Sequence, residues 1–163
     1  NFFDNGITVA THLFNAMSSF LHREPGMVGA LFNHPRAMSS IIVDGYHVNY
    51  NAVKTAKKIM GERLFCITDA VTTTHTGFYK HTLVGDKYES DGTLSGSALT
   101  QLKSVQNLVE HVGVDFTEAI KMCSLYPARV MQKKELTGCI HIGEPAALVC
   151  LNEKMELLTT VAS

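Results

Sequence analysis

What the sequence lacks narrows the field first. Its 163 residues hold no apolar run long enough to cross a bilayer, and no basic-then-apolar start of the kind a secretory leader needs. Charge is nearly balanced, with 14 Lys and Arg against 15 Asp and Glu and a formal net charge of -1. That removes the electrostatic footprint that nucleic acid or an anionic membrane surface demands, so neither is expected as a partner. There is no C-x-x-C pair, because Cys66, Cys123, Cys139 and Cys150 are scattered. Cys66 and Cys150 lie inside apolar runs and are expected to be buried free thiols. This pattern points to a reducing, cytoplasmic setting rather than a disulfide framework. An initial Met is missing too. Asn1-Phe2-Phe3-Asp4-Asn5-Gly6 looks like the end of a helix and its turn, with Phe2 and Phe3 packing. The sequence is therefore expected to be a piece of a longer protein, entered in the middle of a repeat.

What is present is ordinary in bulk and specific in pattern. With 45% hydrophobic and 18% charged residues, the composition is that of a globular chain. A domain of this length buries about two thirds of its unfolded surface. Eight histidines are a high count and draw attention to metal or proton chemistry. One stretch organises the rest: Leu64-Phe65-Cys66-Ile67-Thr68-Asp69-Ala70. A short apolar run without alternation suits a strand buried on both faces. It stops at Thr68 and Asp69, and a carboxylate at such a strand end sits where an α/β protein keeps its chemistry. Ile7-Thr8-Val9-Ala10 runs in the same way into Thr11 and His12, and Ile41-Ile42-Val43 into Asp44 and Gly45. The spacing is about one βα repeat of some 30 residues. Three strands ending in titratable residues predict one shared polar rim, although Asp44 and Asp69 also suit plain loop starts or caps.

Between and beyond these strands the scaffold is predicted from periodicity and turn chemistry. A helix is expected over residues 27–34, with Val28, Leu31 and Phe32 on its apolar face. Another runs from a cap at Asn49 or Asn51 to Met60, with Val53, Ala56, Ile59 and Met60 inward, Lys54, Lys57 and Lys58 wet, and Gly61 ending it. His75 is expected on a surface loop. Residues 79–84 and 87–90 flank Gly85-Asp86 as a hairpin. Ser97 is a candidate N-cap for a helix carrying Leu102, Val105, Val109 and Val112 and closed by Gly113. Asp115 and Glu118 make a capping-box pattern, and Pro127 suits a first helical turn. Ile140, Ile142, residues 148–151 and residues 157–161 are predicted strands, with turns at Gly143 and Asn152-Glu153.

Several segments taken together resemble one family. Thr11-His12-Leu13-Phe14-Asn15-Ala16-Met17, Arg23-Glu24-Pro25-Gly26, Asp44-Gly45-Tyr46-His47-Val48, Thr68-Asp69-Ala70, Gly92-Thr93-Leu94-Ser95-Gly96-Ser97 and Leu125-Tyr126-Pro127-Ala128-Arg129 occur in this order. They are similar to the N-acetylglucosamine-6-phosphate deacetylases of the amidohydrolase superfamily, across essentially the whole chain. The resemblance implies an α/β fold: the C-terminal part of a (β/α)8 TIM barrel over residues 1–137. Residues 138–163 would supply returning strands of a small β-sandwich domain.

The resemblance also implies a chemistry and a set of residues. Such enzymes carry one divalent metal, zinc or iron, held by a Glu and two His. Only the second His has a counterpart here, His12; the other ligands are expected upstream of residue 1. A catalytic zinc site needs about three protein ligands, so this piece alone is expected to be inactive. Asp69 matches the catalytic Asp, first base and then acid in acetamide hydrolysis. Substrate contacts are implied for Asn15, Ala16, Arg23 and His47, and for main-chain groups of Leu94, Ser95 and Gly96. Arg23 would reach the sugar phosphate of a neighbouring subunit, which implies a homodimer with a phosphorylated amino sugar as ligand. Val71-Thr72-Thr73-Thr74-His75-Thr76-Gly77 replaces the usual Ala/Pro/Gly-rich loop, and Ala147 stands where Asp or Asn is common. A sister amidohydrolase acting on N-acetylgalactosamine 6-phosphate and a non-catalytic truncated homologue remain as alternatives. An open half-barrel leaves strand edges unpaired, so the isolated piece is expected to be poorly soluble.

Overall fold

The structure, a computed structural model, describes residues 3–78, 80–133, 140, 142, 143 and 146–162. Phe2, Tyr79, Cys139 and the expected domain boundary at 137/138 lie outside the described residues.

Three parallel strands form the frame of the site. They are β1 (Val9–Ala10), β2 (Met38–Ile41) and β3 (Leu64–Cys66), in the order β1-β2-β3. Val9 pairs with Met38, Ala10 with Ser39, Ser40 with Phe65 and Ile41 with Cys66. Parallel pairing sends every C-terminal end to the same side, which gathers the predicted rim. Helix α1 (Gly26–Asn33) links β1 to β2, and α2 (Tyr50–Met60) links β2 to β3. Val28 and Leu31 of α1, Val53, Ala56 and Met60 of α2, and the strand residues Ile41, Leu64 and Cys66 share one buried cluster. The segment before β1 forms a short 3-10 turn, Phe3–Asn5, with Phe3 buried. Strand β2 begins earlier than predicted and stops at Ile41. Its ladder with β3 ends there, while Ile42 and Val43 continue fully buried, with no strand partner among the described residues.

Helix α2 shows how a periodic pattern is read one residue too widely. Asn49 caps it by accepting from the Asn51 N–H, and Gly61 ends it, as expected. Val53, Ala56 and Met60 are buried, but Ile59 is 46% exposed. At 3.6 residues per turn, Ile59 lies about 90° from the middle of that buried stripe and Lys57 only about 65°. Lys57 is accordingly not a wet lysine. It lies across the flank of α2 and pairs with Glu118 of α4 (Phe116–Cys123). Glu118 also accepts from the Tyr126 hydroxyl, 3.0 Å to each carboxylate oxygen, instead of reaching back to complete a capping box. Burial and this bond from its hydroxyl to a carboxylate push the Tyr126 phenol up to about 12. Asp115 still caps α4 by accepting from the N–H groups of Thr117 and Glu118. Tyr126 and Pro127 lie in α5 (Leu125–Val130).

The chain leaves β3 for an antiparallel meander, β4 (Thr82–Val84), β5 (Lys87–Ser90) and β6 (Thr93–Ser97). Gly85-Asp86 turns the first hairpin as predicted. Asp91 and Gly92, both at positive φ, turn the second. Residues 94–97 are thus a strand, not the opening of a helix. The N-cap of α3 (Gln101–Asn107) is Thr100, whose hydroxyl accepts from the Lys103 N–H at 3.1 Å. The helix continues as a wider π turn over Leu108–Val112. That turn rotates the stripe, so Asn107 and Leu108 are buried while Leu102 and Val109 are only half-buried.

Strands β7 (Ala147–Leu151) and β8 (Leu157–Ala162) pair antiparallel. Cys150 is exposed on β7, not buried. An apolar run buries its residues only where a second layer covers it, and this sheet has two strands with mostly open faces.

Candidate active site

Both residues singled out for chemistry sit just past strand ends in a strained backbone. His12 has φ 35 and Asp69 φ 48. Residues other than Gly adopt this left-handed region rarely, and such strain persists only where surrounding bonds over-determine it. In both cases a buried serine on a neighbouring strand supplies bonds. Ser40 of β2 accepts from the His12 N–H at 2.8 Å through its Oγ, and its carbonyl accepts from the Leu13 N–H at 2.7 Å. Ser97 of β6 donates its N–H to the Asp69 carbonyl at 3.1 Å and its Oγ–H to the Thr68 carbonyl.

His12 has one ring nitrogen engaged by the main chain. Its Nδ1 lies 2.9 Å from the Asn15 main-chain carbonyl. A carbonyl only accepts, so Nδ1 carries the proton and the Nε2 lone pair is left for a metal ion. The imidazole therefore fits one position of a divalent metal site. Among the described residues no group of three His, Cys, Asp or Glu converges to complete it. Asn15 and Ala16 lie on the same turn, Asn15 half-buried and Ala16 exposed with φ 54.

Between these two strand ends lies the turn after β2. Asp44 and His47 form a buried pair, Oδ2 to Nδ1 at 2.6 Å, with side chains 4% and 9% exposed. Asp44 Oδ1 also accepts from the N–H groups of Tyr46 and His47 at 2.9 and 2.8 Å. Burial pushes the Asp44 carboxyl up, but the bonds from the His47 ring and from these two amides outweigh it and hold the group below the ordinary carboxylate value. Of the three titratable strand ends, Asp44 is thus committed to shaping a loop. The sequence offers it as part of a titratable rim or as a plain loop start, and the structure adds that it orients His47. Gly45, at φ 81, keeps the loop against Tyr50, since an added Cβ would lie 2.9 Å from that ring.

The depressed Asp44 carboxyl has a consequence for pH. A lowered folded value contributes stability above the unfolded carboxylate value, near pH 3.9, and that contribution disappears as pH falls through the folded value. In the full-length protein, Asp44→Asn is expected to cost about 1–2 kcal/mol near neutrality. The gap from wild type should close below about pH 4. Urea melts of both proteins across this range check it; a gap independent of pH would contradict the assignment.

The meander closes over this rim. Ala70 bridges Ser97 in parallel, and the Val71 N–H donates to the Ser97 carbonyl at 3.1 Å. Lys87 of β5 sits over the Tyr46 ring, 5.7 Å from its centroid. Leu94 and Ser95 are half-buried and Gly96 is buried. Gly96 has φ 140, and a Cβ there would meet Val71 at 2.7 Å, so glycine lets β6 lie against the segment following Asp69. Ser95 Oγ lies 2.9 Å from His81 Nδ1. Asp69 and His75 are exposed. Arg23 is exposed on the loop before α1, where the Ser18 hydroxyl accepts from the Met27 N–H at 2.8 Å. A cavity of ≈ 440 Å³ near that loop is lined by Pro25, Gly26, Gly29, Ala30, Asn33, His34 and Pro35, none of them a predicted site residue. His12, His47 and Asp69 lie instead at the open rim of the sheet, where β1 and β3 are two strand spacings, about 10 Å, apart.

The amidohydrolase family model matches residues 1–163. The chain belongs to the amidohydrolase family. It is 35% identical to N-acetylglucosamine-6-phosphate deacetylase of Haemophilus influenzae, over 99% of this chain and 45% of that protein. It is also 35% identical to N-acetylgalactosamine-6-phosphate deacetylase of Escherichia coli O157:H7, over 95% of this chain and 43% of that one. The crystal structure of the Pasteurella multocida N-acetylglucosamine-6-phosphate deacetylase superposes with a TM-score of 0.90 at 32% identity, covering 98% of this chain and 44% of that one. The chain thus spans under half the length of these relatives. In amidohydrolase terms, β1–β3 and their helices are the C-terminal part of the (β/α)8 barrel, and β7–β8 are returning strands of the small β-sandwich domain. Among the described residues no helix is long and apolar enough to cross a membrane.

Proposed function

We propose that the full-length protein carrying this chain hydrolyses the acetamide of N-acetyl-D-glucosamine 6-phosphate, releasing acetate and D-glucosamine 6-phosphate in the cytoplasm. One observation carries the reading. His12 and Asp69 stand at the C-terminal ends of parallel strands, each in a left-handed backbone conformation held by a buried serine. They do so in a chain 35% identical to such a deacetylase over 99% of its length.

His12 Nε2 is one ligand for a divalent ion, zinc or iron, with the remaining ligands upstream. When bound, that ion supplies an acidified water and a polarised acetyl carbonyl. Asp69 accepts a proton from the attacking water and then delivers it to the leaving nitrogen, because an amide anion is a very poor leaving group. His47, with Nδ1 held by Asp44, has its other ring nitrogen, Nε2, for a phosphate oxygen. Asn15, Ala16 and the main chain of Leu94, Ser95 and Gly96 line the sugar. Arg23, exposed on its loop, reaches the phosphate of a neighbouring subunit in a homodimer. The barrel portion occupies residues 1–137 and the small domain residues 138–163.

The equal identity to a galactosamine-epimer deacetylase favours one second reading, the same chemistry on N-acetylgalactosamine 6-phosphate. Acetate release by the full-length, metal-loaded protein, offered both epimers side by side, decides between them. The gluco substrate is expected to win by about tenfold or more in kcat/KM, the scale of a few differing polar contacts. A reversed ratio would move the protein to the galacto reading. No release of acetate from either would leave a scaffold that has kept the motifs without the activity.

A further inference from the structure

Ser97 is fully buried and makes three hydrogen bonds to the main chain around Asp69. Its Oγ–H donates to the Thr68 carbonyl, its N–H to the Asp69 carbonyl at 3.1 Å, and its own carbonyl accepts from the Val71 N–H at 3.1 Å. The same Oγ accepts from the Leu99 N–H at 3.1 Å. The peptide groups on both sides of Asp69 are therefore clamped by one residue. Asp69 itself, at φ 48, holds a conformation that an unsupported aspartate seldom keeps. The clamp comes from outside the parallel sheet, from the end of β6, whose preceding residues Leu94, Ser95 and Gly96 form the strand assigned to the sugar. Gly96 packs directly on Val71, two residues past Asp69. Any displacement of β6 is thus transmitted to the Asp69 peptide.

We infer that Ser97 is a positioning residue: its hydroxyl fixes the direction in which the Asp69 carboxylate points and couples the sugar-lining strand β6 to the proton-transfer group. This inference rests on Asp69 acting as the base and acid. Proton transfer requires heavy atoms within hydrogen-bond reach and alignment, so a carboxylate that swings on a loosened strand end loses rate and not substrate.

The test uses the full-length, metal-loaded protein. Ser97→Ala removes only the hydroxyl and leaves both main-chain bonds to the Asp69 segment. It is expected to lower kcat by about tenfold or more while KM stays within about twofold and metal content is unchanged. Ser97→Cys fills the same space with a weaker donor and should fall between Ala and wild type. It also replaces Ala as the deciding variant if Ala fails to fold or to hold metal. A kcat within about twofold of wild type, or a loss confined to KM, overturns the inference. Asp69→Asn measured beside them separates the two claims. An active Asp69→Asn removes the base assignment itself. An inactive Asp69→Asn with an unimpaired Ser97 variant removes only the positioning role.

Discussion

Asp69→Asn in the full-length protein is expected to lower kcat for acetate release by about three orders of magnitude, within the range for a single general acid–base group. Metal content should stay at the wild-type level. The choice of Asn follows from the backbone. At φ 48 the residue sits in a region that Asn tolerates nearly as well as Asp, whereas Ala would add about 1–2 kcal/mol of left-handed strain and disturb the strand end. Asn keeps the shape and loses the charge and the ability to take up and deliver a proton. Acetate release and bound metal, measured on the same preparation, separate a missing base from a collapsed site. Activity within about tenfold of wild type would remove Asp69 from the chemistry.

That a carboxylate stood at this point was legible because the signal is local. A buried run that stops at Thr68-Asp69 marks a strand end whatever else the chain does, and two further runs with the same ending predicted a shared rim, which the parallel pairing of β1, β2 and β3 provides. The Asn49 cap and the Gly85-Asp86 turn were legible for the same reason, since their partners lie within a few residues. What failed to show in the sequence depends on residues far apart in the chain. Ser97 looks like a helix cap because a serine precedes an apolar periodic stretch. Its bonds run instead to Thr68 and Asp69, nearly 30 residues earlier, and no local pattern announces them. Lys57 looks solvated until α4 brings Glu118 to it, 61 positions away. Cys150 looks buried because its run is apolar, but burial is a property of the layer above it. Ser40 drew no attention at all, as a small polar residue inside a strand, yet it holds the His12 turn.

The two serines give the site a common design. Each clamps a strained strand end from the neighbouring strand, so the two chemical groups are set by sheet packing and not by their own loops. Asp44 instead holds His47 from within the same loop, through its side chain. Rigidity of this kind places His12, His47 and Asp69 on one rim without requiring any of them to touch another.

His12→Ala in the full-length protein is expected to weaken metal binding by more than about 100-fold. Loss of a protein ligand should exceed the roughly 10- to 100-fold cost of losing a supporting bond around one. Activity should vanish at trace metal. A large excess of the divalent ion should restore part of it, because Asp69 and the Ser97 clamp are untouched. That recovery separates the two most damaging substitutions: metal rescues His12→Ala in part and leaves Asp69→Asn inactive. The tautomer argument sharpens the expectation. His12 Nδ1 is held by the Asn15 carbonyl, a main-chain group, so Asn15→Ala should leave metal affinity within a few-fold of wild type even though Asn15 sits on the ligand's own turn. Titration of the apo-protein with zinc, read by competition with a chromophoric chelator, measures all three. Wild-type affinity in His12→Ala would mean that the imidazole points at substrate instead of metal, and the left-handed turn that presents it would then need another purpose.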